Sequence, residues 1–68
     1  MPDRVYKTIE LTASSPTSIE DAVQAALAKA AKTVRNMRWF QVIETRGYIE
    51  NNAIASWQVT IKISFTVE

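Results

Sequence analysis

The stretch Asn36-Met37-Arg38-Trp39-Phe40 decides the fold, because it ends the one strong helical pattern of the chain and opens a strand. It also places an indole beside a guanidinium at this junction. A large aromatic side chain next to a cation at an element boundary can stack on a flat, anionic or electron-poor ligand. The alternative is that Trp39 belongs to the core, as most tryptophans in small domains do.

Before this junction, the sequence predicts one helix that begins after Ser18 and continues to about Met37. Ser18 is a good N-cap, and Asp21 three residues later resembles a capping box. Arg35 and Arg38 lie at the predicted end, where positive charge suits the helix dipole. The helix is expected to pack on a sheet through apolar residues at three- and four-residue spacing: Ile19, Ala22, Val23, Ala26, Leu27, Ala30, Val34 and Met37.

Stretches of alternating apolar and polar residues predict strands at about 4–13, 39–50 and 54–67. Asn51 and Asn52 favour positive φ and predict a two-residue hairpin between the last two strands. Because the helix reverses the chain, an antiparallel sheet needs the third strand in the middle, in the order 1-3-2, with a right-handed crossover. The sequence therefore predicts an α+β fold of the order β-α-β-β, with one sheet face on the helix.

The hairpin register decides on which face Trp39 lies. The predicted turn places Gln58 opposite Thr45, and cross-strand partners point to the same face. Phe40 and Val42 are then expected to join the core on the helix side, whereas a shift of one residue would reverse every assignment. The face without the helix is called the open face here, and its expected residues are Trp39, Gln41, Ile43, Thr45 and Gln58, accompanied by Ile49.

Trp39 and Gln58 are expected to lie far apart on the open face. Trp39 pairs near Ser64, and Gln58 is about six residues further along the strand, which is roughly 20 Å at about 3.3 Å per residue. A ligand that contacts both takes them from different subunits, or else the strands bend sharply. An uncovered tryptophan on so small a chain predicts a ligand surface or a subunit interface.

Length and composition restrict the class of protein. The 68 residues are predicted to form one domain, 1–68, which buries too little surface to be very stable alone. The absence of cysteine and histidine excludes disulfides and the common zinc sites, which leaves oligomerisation as the way to stabilise the fold. A net charge of +1 is too small to indicate nucleic-acid or membrane binding. Without a signal peptide or an apolar run that could span a bilayer, a soluble cytoplasmic protein is expected.

The sequence does not indicate an enzyme. It offers no Cys or His nucleophile–base pair, and its single glycine excludes Rossmann and P-loop phosphate sites. Glu44 is expected on the helix-covered side near Val59, in a structural salt bridge to Arg46 or a lysine. No acid–base pair is expected among the carboxylates that are spread along the chain from position 10 onward: Glu10, Glu20, Asp21, Glu44, Glu50 and Glu68.

Three segments resemble the dodecin family in order and spacing, namely VYKTIELTASS at 5–15, RNMRWFQVIETRG at 35–47 and WQVTIKISFTVE at 57–68. The resemblance implies a small β-α-β-β protein that assembles as a hollow homododecamer and binds riboflavin or FMN. In that family, two isoalloxazine rings stack in each pocket between tryptophans of symmetry-related subunits. The implied function is storage or buffering of flavin.

By position, the resemblance implies that Trp39 is the stacking residue and that Gln58 hydrogen-bonds to the polar edge of the ring. It also implies that Arg46 approaches a flavin phosphate or tail. The residue types suit this chemistry. Indole offers a large electron-rich face to an electron-poor ring, and an amide supplies both a donor and an acceptor.

Two further positions depart from the family pattern. Arg38, also placed among the flavin-binding residues, stands where many members have Asp. Thr66, a further flavin contact, stands where many have Arg. Some members also bind coenzyme A, which implies contacts from Tyr6, Lys29 and Lys32.

Two other functions remain open on the sequence. Basic residues along one flank of the predicted helix (Lys29, Lys32, Arg35 and Arg38), with an exposed tryptophan that can stack on bases, suit a small nucleic-acid-binding module. A purely structural oligomer would use Trp39 as an interface anchor. The salt dependence of affinity distinguishes a nucleic-acid-binding module from a flavin-binding protein, because only the affinity for nucleic acid falls steeply as the salt concentration rises. The structural-oligomer hypothesis is tested by whether the Trp39→Ala variant still assembles.

Overall fold

The computed structural model describes residues 4–67, which form a three-stranded antiparallel sheet with one helix on one face. The elements are β1 (Tyr6–Ser15), α1 (Ile19–Ala30), β2 (Met37–Glu50) and β3 (Ala53–Thr66). The sheet order is β1-β3-β2, so the predicted β-α-β-β fold with the order 1-3-2 is confirmed. The ends of the predicted domain, 1–3 and Glu68, lie outside the described residues.

The core lies between α1 and the centre of the sheet. Alternate residues of a strand point to the same face, and the central odd-numbered residues of β3, at positions 59, 61 and 63, belong to the core with the helix, as their pattern predicts. The helix packs on β1 and β3. The buried apolar residues are Ala22, Val23, Ala26 and Ala30 of α1 and Val59, Ile61 and Ile63 of β3.

The helix is shorter than its apolar pattern predicts. It ends at Ala30 and a turn follows, so Arg35 and Arg38 lie beyond the helix and not in its last turn. Val34 is β-branched and lowers the tendency to continue the helix. Asn36 has a φ of 64°, and its carbonyl accepts a backbone hydrogen bond from the end of β3. Pairing with the sheet therefore replaces the last predicted turns of the helix.

The start of the helix is held by two serines. Ser18 Oγ accepts a hydrogen bond from the Asp21 amide at 3.0 Å, which confirms the N-cap. The Asp21 carboxylate does not close a capping box, because it accepts from Ser15 Oγ at 2.6 Å. The buried Ser15 hydroxyl also accepts from the Thr17 amide at 3.0 Å, and thereby joins the end of β1 to the start of α1.

Replacing Ser15 with alanine is expected to lower the free energy of unfolding by about 1–2 kcal/mol, because hydrogen bonds at the helix start are lost together. Thermal unfolding beside Ser14→Ala measures this difference, since Ser14 is the exposed neighbour on the same strand. Equal stability of the two variants would contradict the role given to Ser15.

The hairpin turn has the predicted geometry, but its register is more complex. Asn51 and Asn52 have φ of 51° and 62°, as a two-residue turn requires. The register then shifts between Tyr48 and Ile49, which places Gln58 opposite Arg46. The predicted pairing of Gln58 with Thr45 is therefore wrong. Thr45 lies opposite Val59, and so belongs to the helix side.

Strand β2 is exposed along its length beyond Met37. Phe40 and Val42 pair with residues of the helix side, as predicted, but they are 45% and 43% exposed and do not belong to the core. The reason is that α1 packs on β1 and β3, which leaves a groove between the helix and β2. Apolar residues exposed on both faces of an edge strand are typical of a surface that contacts another chain.

Candidate functional site

Trp39 lies opposite Ser64 on the open face and is 50% exposed. This is the predicted face, even though the register near the turn is not the predicted one. A second shift, between Val42 and Glu44, cancels the first, so the strand returns to the predicted register before it reaches Trp39. The indole therefore stands on the side of the sheet that the helix does not cover.

Hydroxyl side chains line the open face of β1 and β3. The hydroxyls of Ser64 and Thr8 are 2.9 Å apart, and those of Thr12 and Thr60 are also 2.9 Å apart. Each pair joins β1 to β3 across the open face. These short side chains are hydrogen-bonded to each other across the strands, so larger side chains on the same face project further from the sheet.

Tyr6 is the aromatic neighbour of Trp39. It begins β1, pairs with Thr66, and its ring centroid lies 6.1 Å from that of Trp39, with an interplanar angle of 57°. Sequence reasoning missed this contact, because no short turn connects β1 to β3 and the β1 register could not be derived. Tyr6 and Trp39 are called the aromatic pair below.

A second set of residues lies further along the open face. Arg46 pairs with Gln58, and its guanidinium forms an ion pair with Glu44. Glu44 pairs with Thr60 on the open face, so its predicted place on the helix-covered side near Val59 is wrong. Glu44 lies between the two register shifts, where the pairing is displaced by one residue from the predicted register. The salt bridge between Glu44 and Arg46 that the sequence suggested is present, and Glu44, Arg46 and Gln58 are called the polar group below.

The aromatic pair and the polar group are separated along β3. Ser64, opposite Trp39, and Gln58 are six residues apart on this strand, or roughly 20 Å at about 3.3 Å per residue. The rings at one end and the amide and guanidinium at the other cannot contact one small ring system within a subunit. Together they can serve one flat ligand only where two subunits meet.

Arg38 and Thr66 lie near the aromatic pair. Arg38 is exposed and is the extra residue between the pairs Met37–Phe65 and Trp39–Ser64. Thr66 is half-buried and opposite Tyr6. The structure therefore places both departures from the family pattern beside the predicted stacking residue.

Lys29 and Lys32 belong to α1 and to the turn that follows it. Lys29 lines a groove between α1 and β1 together with Leu11 and Ala13. Tyr6 belongs to the open face, so Tyr6 and Lys29, both predicted to contact coenzyme A, lie on opposite faces of the sheet.

The described part of the chain contains no group of three or more acidic, histidine or cysteine side chains that could hold a metal ion. Nor does any helix within residues 4–67 have the length and apolar character needed to cross a membrane. The clearest binding feature of the described residues is the exposed indole of Trp39 on the open face, which can stack on an aromatic ring system.

Comparison with known proteins gives one family. A family model described as Dodecin matches residues 5–68. A dodecin of Thermus thermophilus is 43% identical over 65 residues, which cover 96% of this chain and 94% of that protein. The structure of a dodecin from Streptomyces coelicolor is similar with a TM-score of 0.92 at 37% identity, over 100% of this chain and 97% of that one. A calcium dodecin of Mycobacterium tuberculosis is 31% identical over 61 residues, 90% of this chain and 86% of that protein.

Proposed function

The chain belongs to the dodecin family, and we propose that it is a flavin-binding protein that stores or buffers riboflavin or FMN. Dodecins are small binding proteins, not an enzyme family, and members form dodecamers. The proposal is a hollow homododecamer of this chain, located in the cytoplasm, in which the flavin pockets lie between subunits.

The observation that carries the proposal is the half-exposed Trp39 on the open face. An uncovered indole loses the free energy that burial of its apolar surface would provide, so a partner that covers it is favoured. The oxidised isoalloxazine is flat and electron-poor, and indole is the largest electron-rich side chain that can stack on it. We place isoalloxazine rings between the Trp39 side chains of two symmetry-related subunits.

The polar group supplies the remaining contacts. The Gln58 amide offers both a donor and an acceptor to the ring edge, where carbonyl and N–H groups alternate. Because Gln58 lies roughly 20 Å from Trp39 along the sheet, the two residues that contact one ring come from different subunits. Arg46 is placed near the phosphate or tail, with Glu44 as its neighbour. Arg38 and Thr66, beside the aromatic pair, complete the proposed flavin surface.

Coenzyme A has a different place in this proposal. Lys29 lies on the helix side, so a coenzyme A contact made by Lys29 is separate from the flavin surface of the same subunit. Lys32 follows in the turn after the helix. Calcium, which the name of the M. tuberculosis relative indicates for that protein, is not part of the proposal. Within residues 4–67 there is no group of three or more Asp, Glu, His or Cys side chains that could hold a metal ion.

Salt dependence separates flavin binding from nucleic-acid binding. Riboflavin is neutral, so its dissociation constant, measured by fluorescence quenching, is expected to change less than about 2-fold between 50 and 200 mM salt, whereas nucleic-acid affinity falls steeply over this range. A single-stranded oligonucleotide is titrated in parallel as the control. Oligonucleotide binding that weakens steeply with salt, without any quenching of riboflavin, would replace the flavin proposal by the nucleic-acid one. The early end of α1 already disfavours that alternative, because Arg35 and Arg38 do not extend a helical flank.

A further inference from the structure

The aromatic pair comes from strands that are not neighbours. Tyr6 lies on β1 and Trp39 on β2, and β3 runs between them. Ser64 of β3 is fully buried although it belongs to the open face. Its short side chain, bonded to Thr8, allows the two larger rings to approach each other above the central strand. A centroid distance of 6.1 Å is within the range of aromatic pairs that interact.

The orientation of the rings indicates what Tyr6 can do. At an interplanar angle of 57°, Tyr6 and Trp39 are not parallel walls, so a flat ligand cannot be sandwiched between them. A tilted contact instead restricts the rotation of the indole about its side-chain bonds. Trp39 lies on an edge strand, directly after a bulge and between the exposed residues Arg38 and Phe40, so the position of its indole is not fixed by burial in the core.

We infer that Tyr6 is a positioning residue, which holds the Trp39 indole in the orientation that stacks on the ligand. The inference rests on the proposed function and deepens it. It assigns Tyr6 to the flavin surface and not to a coenzyme A site. The ring carries this role and the hydroxyl does not, since the contact is between the two rings.

Loss of the Tyr6 ring is expected to weaken riboflavin binding by about 2- to 10-fold, because an indole that rotates freely must be immobilised when the ligand binds. Tyr6→Ala removes the contact, whereas Tyr6→Phe keeps the ring and is expected to bind as the native chain does. Tyr48→Ala is the matched control, since Tyr48 is an exposed tyrosine on the same sheet. Tyr6→Leu, which retains apolar bulk without a flat ring, takes the place of Tyr6→Ala if the alanine variant does not fold.

The test begins without flavin. The chain has two tryptophans, so a Trp57→Phe background leaves Trp39 as the only one. Time-resolved fluorescence anisotropy of Trp39 is expected to gain a fast local component in Tyr6→Ala, and to show none in Tyr6→Phe or Tyr48→Ala. Riboflavin dissociation constants are then measured for the same proteins by quenching.

Unchanged anisotropy in Tyr6→Ala would overturn the inference, and so would a Tyr6→Phe variant that binds riboflavin as weakly as Tyr6→Ala. Failure of every variant, including the native chain, to bind riboflavin would overturn the proposed function instead. The anisotropy would still decide whether Tyr6 orders the indole, so the two failures are distinguishable.

Discussion

Replacement of Trp39 with alanine is expected to weaken riboflavin binding by about 10- to 100-fold while the subunits remain assembled. Stacking of one base on one aromatic side chain is worth about 1–3 kcal/mol, and each of the two rings in the proposed pocket loses the indole on which it stacks. Trp39 is half-exposed and outside the core, and its loss should therefore leave the fold of the subunit unchanged.

The measurement is a titration of riboflavin fluorescence, with the size of the particle followed by light scattering during gel filtration. Trp57→Phe is the matched control, because Trp57 lies opposite Gly47 and Ser15, far along β3 from Ser64, and is not part of the flavin surface. A Trp39→Ala protein that dissociates would support a purely structural anchor instead of a stacking residue. One that binds riboflavin like the native chain would contradict the stacking role.

Replacement of Ile61 with alanine is expected to lower the free energy of unfolding by about 2–5 kcal/mol. Ile61 is fully buried where the centre of β3 meets the helix. A domain of this size draws only about 3–5 kcal/mol from its core. The cavity left by the lost methylene and methyl groups therefore removes most of the stability of an isolated subunit.

Urea unfolding followed by circular dichroism, at one fixed subunit concentration, measures this loss. Ile54→Ala is the matched control, since Ile54 has the same side chain on the same strand but is 62% exposed, and we expect it to cost less than about 1 kcal/mol. Equal losses for the two variants would contradict the position of the core between α1 and β3.

The sequence predicts the hairpin and the open face of Trp39 because both follow from local patterns. Asn51 and Asn52 specify the turn, and the alternation in β3 specifies which face meets the helix. Trp39 lies on the predicted face, although the prediction assumed a strand pairing without register shifts. Two register shifts, neither visible in the alternation of residues, cancel between the turn and Trp39.

Between the two shifts, the register predicted from the hairpin turn is wrong. Glu44 and Thr45 exchange faces relative to the expected register, because the shift between Tyr48 and Ile49 moves their pairing by one residue, and the bulge near Ile43 then ends this displacement. A bulge depends on how the whole strand twists against its neighbour, and the pattern of side chains does not record it. The open-face position of Glu44 beside Arg46 could therefore not be derived from the sequence.

Long-range packing explains the other differences. The apolar stripe continues past Ala30, but the chain leaves the helix there because Asn36 joins the end of β3. Phe40 and Val42 were expected in the core, yet α1 sits over β1 and β3 and leaves them exposed. Each outcome depends on where the helix lies across the sheet, which periodicity within one element does not specify.

The most direct test of the proposed flavin pocket is the addition of native protein to free riboflavin, with fluorescence and gel filtration recorded on the same sample. Two rings between the tryptophans of two subunits correspond to one flavin for each subunit. We expect the fluorescence to be quenched, to reach its limit at this ratio, and the flavin to elute with an assembly far larger than a single chain. Fluorescence that stays unchanged, with all riboflavin eluting as the free molecule, would contradict the proposed function.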